Sequence, residues 1–432
     1  MGFDYKNILI FGYARSGKAV EKVLKDINVN YKIYDENIKI DGGLYISKLS
    51  KKRLKEFDLI VISPGVSIYH KKIKLAEQLG IKIISELEFG YWFTSAEIIA
   101  ITGTNGKTTT TKLVNEVLKL AGYKSGVYGN IGNPLSSAYK ENLDYIVCEV
   151  SSFQLECTDK FLGYIGVLLN VSEDHLDRHK TFKNYVNCKR NLFKNCDNND
   201  YVVIGNNSIH CVNINKEICG NKLLFGNSNC DIYAKENSVF INENKVCTIN
   251  KKLLEYTFLD NILAVISIMH ILKIDYNLIN KIDVPSKKEN RLECFLKHKG
   301  ITFINDSKAT NPDAVNKAIE TIKGNVVLML GGYDKKLSFK ELIKNLPSNI
   351  THVVAFGQMG KKISRELYLK KNINYSTYKS LDLAIDNVLK ILKKGDTLLL
   401  SPGCSSFDEF SSYEERGKFF KQKILRGFNI SE

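Results

Sequence analysis

Gly103, Gly106, Lys107 and the run Thr108 to Thr111, within Ile98–Thr111 reading IIAITGTNGKTTTT, have the types and spacing to hold a phosphate. The glycines let backbone approach an anion, N–H groups of a helix N-terminus point at it, and Lys107 adds a point charge. The hydroxyl of Thr108 or Thr109 can hold Mg²⁺. Ile101 stands where the P-loop pattern has its first glycine, so the general expression fails while its mechanics survive. A plain glycine turn with a threonine cap would need neither the lysine nor the flanking elements. Glu149, in DYIVCEVSSFQLE, lies where an acid at a strand end could hold the Mg²⁺ that bridges nucleotide phosphates. A second such stretch, IGVLLNVSEDHLDRH, opens into acids with His175 and His179 four apart. Leu176 follows His175, so the HExxH glutamate is missing and a zinc peptidase is disfavoured. Asp306, Lys308, Lys335 and Ser406, each after an apolar run, suit an acidic small molecule and a further phosphate contact.

The elements that must position these groups read as alternating strands and helices. Ile98–Thr111 and the amphipathic KLVNEVLKLAG after it predict strand, tight turn and helix. Upstream, Asn7–Gly12 reads as a strand, Lys18–Asp26 as a helix, and Asn30–Asp35 as a strand ending in an acid. The turn GYARSG lacks the dinucleotide GxGxxG fingerprint, so nucleotide binding and plain scaffolding stay equally open there. A buried strand from Phe57 runs into the turn Ser63, Pro64, Gly65. Lys189 lies in a helical pattern and, by itself, reads as a surface lysine. Asn261 opens an apolar helix over Asp260–Leu272, as a cap or with its amide toward a base edge. Residues 201–250 read as short strands and Asn-rich turns. A linker is expected at 285–293, then a strand from Lys299 ending in Asp306, and two more buried strands in the stretches 326–336 and 397–410, each ending in a polar, glycine-containing loop. The fold class is therefore α/β in three domains: 1–94, 95–286 and 287–432.

Composition bounds the reading. The 432 residues exceed one ordinary core, at roughly 150 residues per domain, and 44% hydrophobic with 25% charged residues is a soluble globular balance. No apolar run reaches the roughly 18 residues a membrane span needs, and the start MGFDYKNILIFG shows no signal peptide, so a cytoplasmic protein is expected. Ten cysteines without CxxC pairs fit reduced thiols. The net charge of +15 comes from dispersed lysines beside acids, which fits solvated helix faces and not nucleic-acid binding.

TGTNGKTT, CEVSSFQLE, NVSEDHLDR, the helix start DN, NDSKATNP, GGYDK and SPGCSSFDEF together resemble the Mur ligase family, across all three domains. SSFQLE with NDSKATN most resembles its branch that adds D-glutamate to UDP-N-acetylmuramoyl-L-alanine. The resemblance implies a Rossmann-like N-terminal domain binding the UDP substrate through Arg15, Ser16, Gly17, Asp35, Ser63, Pro64 and Gly65, with Asn130 from the next domain. It implies a central P-loop ATPase domain with a mainly parallel sheet. There Gly103, Thr104, Asn105, Gly106, Lys107, Thr108, Thr109 and Asn261, joined by Arg291 and Asp306, bind ATP. Thr108, Glu149, His175 and a carbamylated Lys189 would hold Mg²⁺, and Lys107, Glu149, His175 and Lys189 would be the catalytic set. In a Rossmann-like C-terminal domain, Lys308, Thr310, Lys335, Ser406 and Tyr413 would bind D-glutamate. Tyr413 stands where the family commonly has phenylalanine, and Tyr13 to Arg15 differ from its usual small or apolar turn. A monomer acting on small molecules, with neither nucleic acid nor membrane as partner, is expected. A folate-type polyglutamate ligase and a non-enzymatic P-loop regulator are the alternatives. The first would lack the separate UDP-binding domain, and the second would release no phosphate in response to substrate.

Overall fold

The computed structural model describes residues 3–38, 43–285, 289–370 and 373–430. It forms three sheets. The first contains β1 (Asn7–Phe11), β2 (Asn30–Tyr34), β3 (Leu59–Ile62) and β4 (Lys82–Ser85), all parallel, in the order β2-β1-β3-β4. Alternate residues of β1 serve opposite faces: Ile8 and Ile10 join one apolar cluster, Leu9 and Phe11 the other. This two-residue period is why the strand is apolar throughout, with helices covering both faces.

The second sheet runs β5 (Glu97–Thr102), β6 (Ser125–Gly129), β7 (Tyr145–Glu149), β8 (Ile165–Leu168), β9 (Tyr201–Gly205), β10 (Asn221–Gly226), β11 (Ile232–Lys235), β12 (Ser238–Ile241) and β13 (Asn244–Thr248). Their order is β13-β12-β11-β10-β9-β8-β5-β7-β6, parallel except for the β11-β12-β13 edge. β5 lies between β7 and β8, so chain leaving β5 departs in one direction and later returns on the other side. Crevices at the carboxyl ends of strands open at such a reversal. The third sheet holds β14 (Glu293–His298), β15 (Ile301–Asn305), β16 (Val326–Gly331), β17 (Ile350–Phe356), β18 (Asn374–Tyr378) and β19 (Thr397–Gly403), ordered β14-β15-β19-β16-β17-β18. Only β14 is antiparallel.

The chain condenses into two compact units: 1–171 with 183–284, and 172–182 with 285–432. The stretch Ser172–Phe182, expected with the central sheet, thus groups with the third, because Asp174 pairs with Lys335 and Asn311 there. Residues 286–288 of the expected linker lie outside the described residues. The first helix begins at Arg15, three residues before its expected start, and Phe258, not Asn261, occupies the N-cap of helix Leu259–Ile271. Residues 209–217 form a helix inside the region read as strands and turns. Among the described residues, no helix is long and apolar enough to cross a membrane.

The turn GYARSG is built on two glycines. Gly12 takes φ +94°, and a Cβ on Gly17 would lie 2.2 Å from the Gly12 carbonyl oxygen. Gly17→Ala is therefore expected to destabilise the first sheet by roughly 1–3 kcal/mol. Denaturant unfolding followed by far-UV dichroism checks this, and an unchanged midpoint would refute it.

Candidate active site

The loop after β5 is shaped by Asn170, just beyond β8. Asn170 Oδ1 accepts from the N–H groups of Thr104 (3.1 Å) and Asn105 (2.8 Å), and its Nδ2 donates to the Asn105 carbonyl (2.9 Å). Gly106 then turns the chain at φ +89° into helix Lys107–Leu120, and a Cβ there would lie 2.2 Å from Asn261 Oδ1. Asn261 is buried beneath the loop, its Nδ2 donating to Thr257 Oγ1 at 2.8 Å, so its amide braces the turn. Lys107 Nζ donates back to the carbonyls of Gly103 (2.8 Å) and Thr104 (2.9 Å). Lys189, read from its local sequence as a surface residue, is instead 1% exposed. Its ammonium also donates to the Gly103 carbonyl at 2.8 Å and lies 4.7 Å from the Tyr185 ring centroid. The apolar stripe of its helix turns it inward toward the strand ends.

Glu149 ends β7, opposite Ile101 of β5. It is 1% exposed, Oε1 accepts from Asn130 Nδ2 at 2.7 Å, and Oε2 has no hydrogen-bond partner among the described residues. A buried anionic oxygen left unpartnered is costly unless a cation or donor completes it. Oxygen donors of this kind, with the Thr108 hydroxyl at the start of the neighbouring helix, fit a hard divalent cation. Thr108, Glu149 and Lys189 belong to the first unit, while His175 belongs to the second. His175 holds a left-handed conformation (φ +54°) at the head of the short helix Leu176–His179.

Arg15, Ser16, Asp35, Ser63, Pro64, Gly65 and Asn130 all line one cleft of about 580 Å³. Gly17 does not line it; it is buried behind the turn. The Asp35 carboxylate accepts from the N–H groups of Tyr13 (2.7 Å), Asn37 (2.8 Å) and Ile38 (2.9 Å). Partial burial opposes its ionisation, and those three donors more than reverse this, holding the pKa below the usual range. Asp35 thus shapes the cleft's turns besides lining it. Ser63 Oγ likewise donates to the Gly12 carbonyl at 2.8 Å.

In the second unit, the loops after β15, β16 and β19 meet. Lys335 is buried and its ammonium lies 2.8 Å from Asp174 Oδ1, while Asn311 Nδ2 donates to Oδ2 of the same carboxylate at 3.2 Å. Burial disfavours the Asp174 anion, but Lys335, His175 and these hydrogen bonds hold its carboxyl well below the ordinary range. Lys308 lies 5.6 Å from the Tyr413 ring centroid, Thr310 is half-buried, and Ser406 is buried. Asp306 accepts from Ser401 Oγ (2.7 Å) and from the N–H of Leu292 (3.1 Å), which ties β15 to the turn containing Arg291.

Sequence reasoning missed Arg416. It is 1% exposed and donates to Ser307 Oγ (2.9 Å) and to the carbonyls of Ser307 (2.8 Å), Cys404 (3.0 Å) and Ser405 (3.1 Å). One guanidinium thereby joins the loops that carry Lys308 and Ser406. Burial draws its pKa down to about 10 against the opposing pull of Cys404, Asp408 and Glu409. The available signal was its place at i, i+4, i+8 with Phe420 and Ile424 on one buried stripe. Arg416→Lys keeps the charge but loses the planar fork, and is expected to lower stability by about 2 kcal/mol. Thermal unfolding measures this, and a variant as stable as the parent would show that the loops need no fork.

Family models match three stretches: a Mur ligase MurD-like N-terminal domain over 6–85, a Mur ligase middle domain over 101–269, and a Mur ligase glutamate ligase domain over 290–404. A protein of Caldanaerobacter subterraneus subsp. tengcongensis named UDP-N-acetylmuramoylalanine--D-glutamate ligase is 35% identical over 98% of this chain and 99% of its own length. One of the same name from a Thermoanaerobacter species is 37% identical over 97% and 98%. The UDP-N-acetylmuramate-alanine ligase structure of Thermotoga maritima shares the fold, with TM-score 0.59 at 18% identity over 98% of this chain and all of that one. Escherichia coli FolC, solved with DHPP and ADP, aligns at TM-score 0.56 and 15% identity over 78% of this chain and 91% of its own.

Proposed function

The chain belongs to the Mur ligase family, and from that premise we propose that it joins D-glutamate to UDP-N-acetylmuramoyl-L-alanine with ATP, in peptidoglycan precursor synthesis. We assign 1–94 to the UDP substrate, 95–286 to ATP and 287–432 to the amino acid, in a monomer acting in the cytoplasm. The observation that carries the reading is the β5 loop, where two ammonium groups reach one carbonyl at a helix start, beside a strand end presenting the unpartnered oxygen of Glu149. Relatives matching over nearly the whole length support the choice of D-glutamate.

The chemistry follows from the weakness of a carboxylate as an electrophile. Its oxygen attacks the γ-phosphorus of ATP and ADP departs, leaving an acyl phosphate. The amine of D-glutamate then adds to the acyl carbon, and the tetrahedral adduct expels phosphate as the amide forms. Lys107 and the helix N-terminus face the charge that develops on the transferred group. Thr108 and Glu149 would hold Mg²⁺, which would neutralise phosphate charge, and the family resemblance assigns His175 a metal-binding role as well. Lys189 would serve that site as a carbamate, whose remaining N–H still matches the bond to the Gly103 carbonyl. Asn261 steadies the loop next to the nucleotide, and the family resemblance assigns Arg291 and Asp306 to ATP as well. The cleft with Asp35 and Asn130 takes the UDP substrate. Lys308, Thr310, Lys335, Ser406 and Tyr413 receive D-glutamate, and Asp174 orients the Lys335 ammonium until a substrate carboxylate competes for it.

Lys107→Ala is expected to remove phosphate release while the far-UV dichroism stays intact, a loss of about 3–4 kcal/mol of transition-state stabilisation. Near-parental turnover would defeat the role. Lys308→Ala and Ser406→Ala should each raise KM for D-glutamate about tenfold or more, as loss of a charge-assisted bond implies, with KM for ATP little changed. Phosphate release with a panel of amino acids tests the whole reading: a preference for L-glutamate, lysine or diaminopimelate would move the protein to a sister activity.

A further inference from the structure

Glu86 is a buried charge that neither the loop nor the cleft has used. It opens helix Glu86–Trp92 and is 1% exposed. Its Oε1 accepts from the backbone N–H of Ser136 (2.7 Å) and from Ser136 Oγ (2.6 Å), while Oε2 has no hydrogen-bond partner among the described residues. Burial raises its carboxyl pKa, opposed by the Ser136 donors and by Arg15. The local structure does not require an acid there. Ser85 already caps the helix, accepting from the Glu88 N–H, and Gly90 already brings the backbones together, since a Cβ there would lie 2.6 Å from Ser136 N. Two residues on, Glu88 anchors the helix independently by accepting from the N–H groups of Asp159, Lys160 and Phe161. A half-satisfied buried carboxylate is a poor stabiliser compared with an apolar side chain of similar size.

What Glu86 does reach is the segment joining the cleft to Glu149. Ser136 closes a stretch that starts at Asn130. The backbone N–H of Asn130 donates to the Glu149 carbonyl (2.8 Å), its Nδ2 donates to Glu149 Oε1 (2.7 Å), and the residue also lines the cleft. Gly129, just before it, takes φ +98° because a Cβ would lie 2.3 Å from the Glu149 carbonyl oxygen. We propose that Glu86 is a positioning residue: by gripping Ser136 it sets the 130–136 segment, so that Asn130 both faces the cleft and holds one oxygen of Glu149, leaving the other for a cation. This rests on reading the cleft as the UDP-substrate site and Glu149 as a metal ligand. It implies that the two sites are coupled through one short segment of chain.

The test uses the full chain and direct binding: Mn²⁺ affinity by electron paramagnetic resonance, and UDP-N-acetylmuramoyl-L-alanine affinity by calorimetry. Fluorescence of Trp92, the sole tryptophan, which donates to Glu88 Oε1 at 2.7 Å, checks that the helix stays docked. Glu86→Ala should weaken both affinities about tenfold, while Glu86→Gln, which keeps an acceptor oxygen, stays within about threefold of the parent. KM for D-glutamate should not move. A Glu86→Ala protein that melts lower yet binds both ligands as the parent does would overturn the proposal and leave Glu86 a mere staple. If that variant does not fold, Ser136→Ala carries the test: both affinities should fall in the same direction, and parental values would overturn the proposal. A parent chain that binds neither ligand instead overturns the reading on which the proposal rests.

Discussion

Two ammonium groups converge on a single carbonyl oxygen: Lys107 and Lys189 each lie 2.8 Å from the oxygen of Gly103. Like charges at such separation repel strongly where water is scarce, and the N-terminus of helix Lys107–Leu120 adds further positive potential. The Gly103 carbonyl shared by both lysines, the Thr104 carbonyl on Lys107 and the Tyr185 ring face beside Lys189 lie against this repulsion. The surroundings are built to resist it. Asn170 locks the loop backbone, Asn261 blocks any side chain at Gly106, and the parallel strands β7 and β8 hold β5 from both sides. An anion entering such a field gains without the protein having to reorganise, which is where electrostatic catalysis draws its strength. The proposed carbamate on Lys189 would act in the same direction, replacing a cation by an anion and giving a metal ion a partner beside Glu149.

The same logic explains what the sequence discloses. TGTNGKTT is legible because glycine, lysine, threonine and the flanking strand and helix all lie within a dozen residues, so chain spacing alone builds the loop. The cleft residues are less legible: the strands before Asp35 and Ser63 show as apolar runs, but the turn GYARSG carries no nucleotide fingerprint, and those residues are assigned by family resemblance. Arg416, Asp174 and Glu86 are not legible, because their partners lie 109, 161 and 50 positions away in the chain. Lys189 marks the boundary between these cases. Its helix was visible, but the direction of the lysine depended on Gly103, 86 residues earlier. Asn261 was placed correctly on its helix, yet its surroundings, Thr257 and the Gly106 turn, exist only in the folded chain.

Burial of charge separates scaffold from chemistry here. Glu86, Glu149, Lys189, Lys335 and Arg416 are all nearly inaccessible, and Lys335 is held by an oppositely charged partner, Asp174, in direct contact. Glu86, Glu149 and Arg416 are met by hydroxyls, carbonyls and amides, which stabilise a buried ion less than a matched ion pair does. Replacing a buried ion by apolar groups of equal size is often neutral or stabilising, so stability alone does not account for these charges. Their presence follows if these groups are held for ligands that bring the missing charge: phosphate for the lysines, a cation for Glu149, a carboxylate for Lys335. Arg416 and Glu86 differ in that their hydrogen bonds are spent within the protein, on loops and not on ligand-facing atoms. A buried ion that spans two loops makes their separation stiff, because any displacement leaves a charge unsolvated. Stiffness is what a ligase that joins two substrates at the expense of a third, ATP, needs, since the attacking atoms must meet in a narrow geometry before water reaches the activated carboxylate.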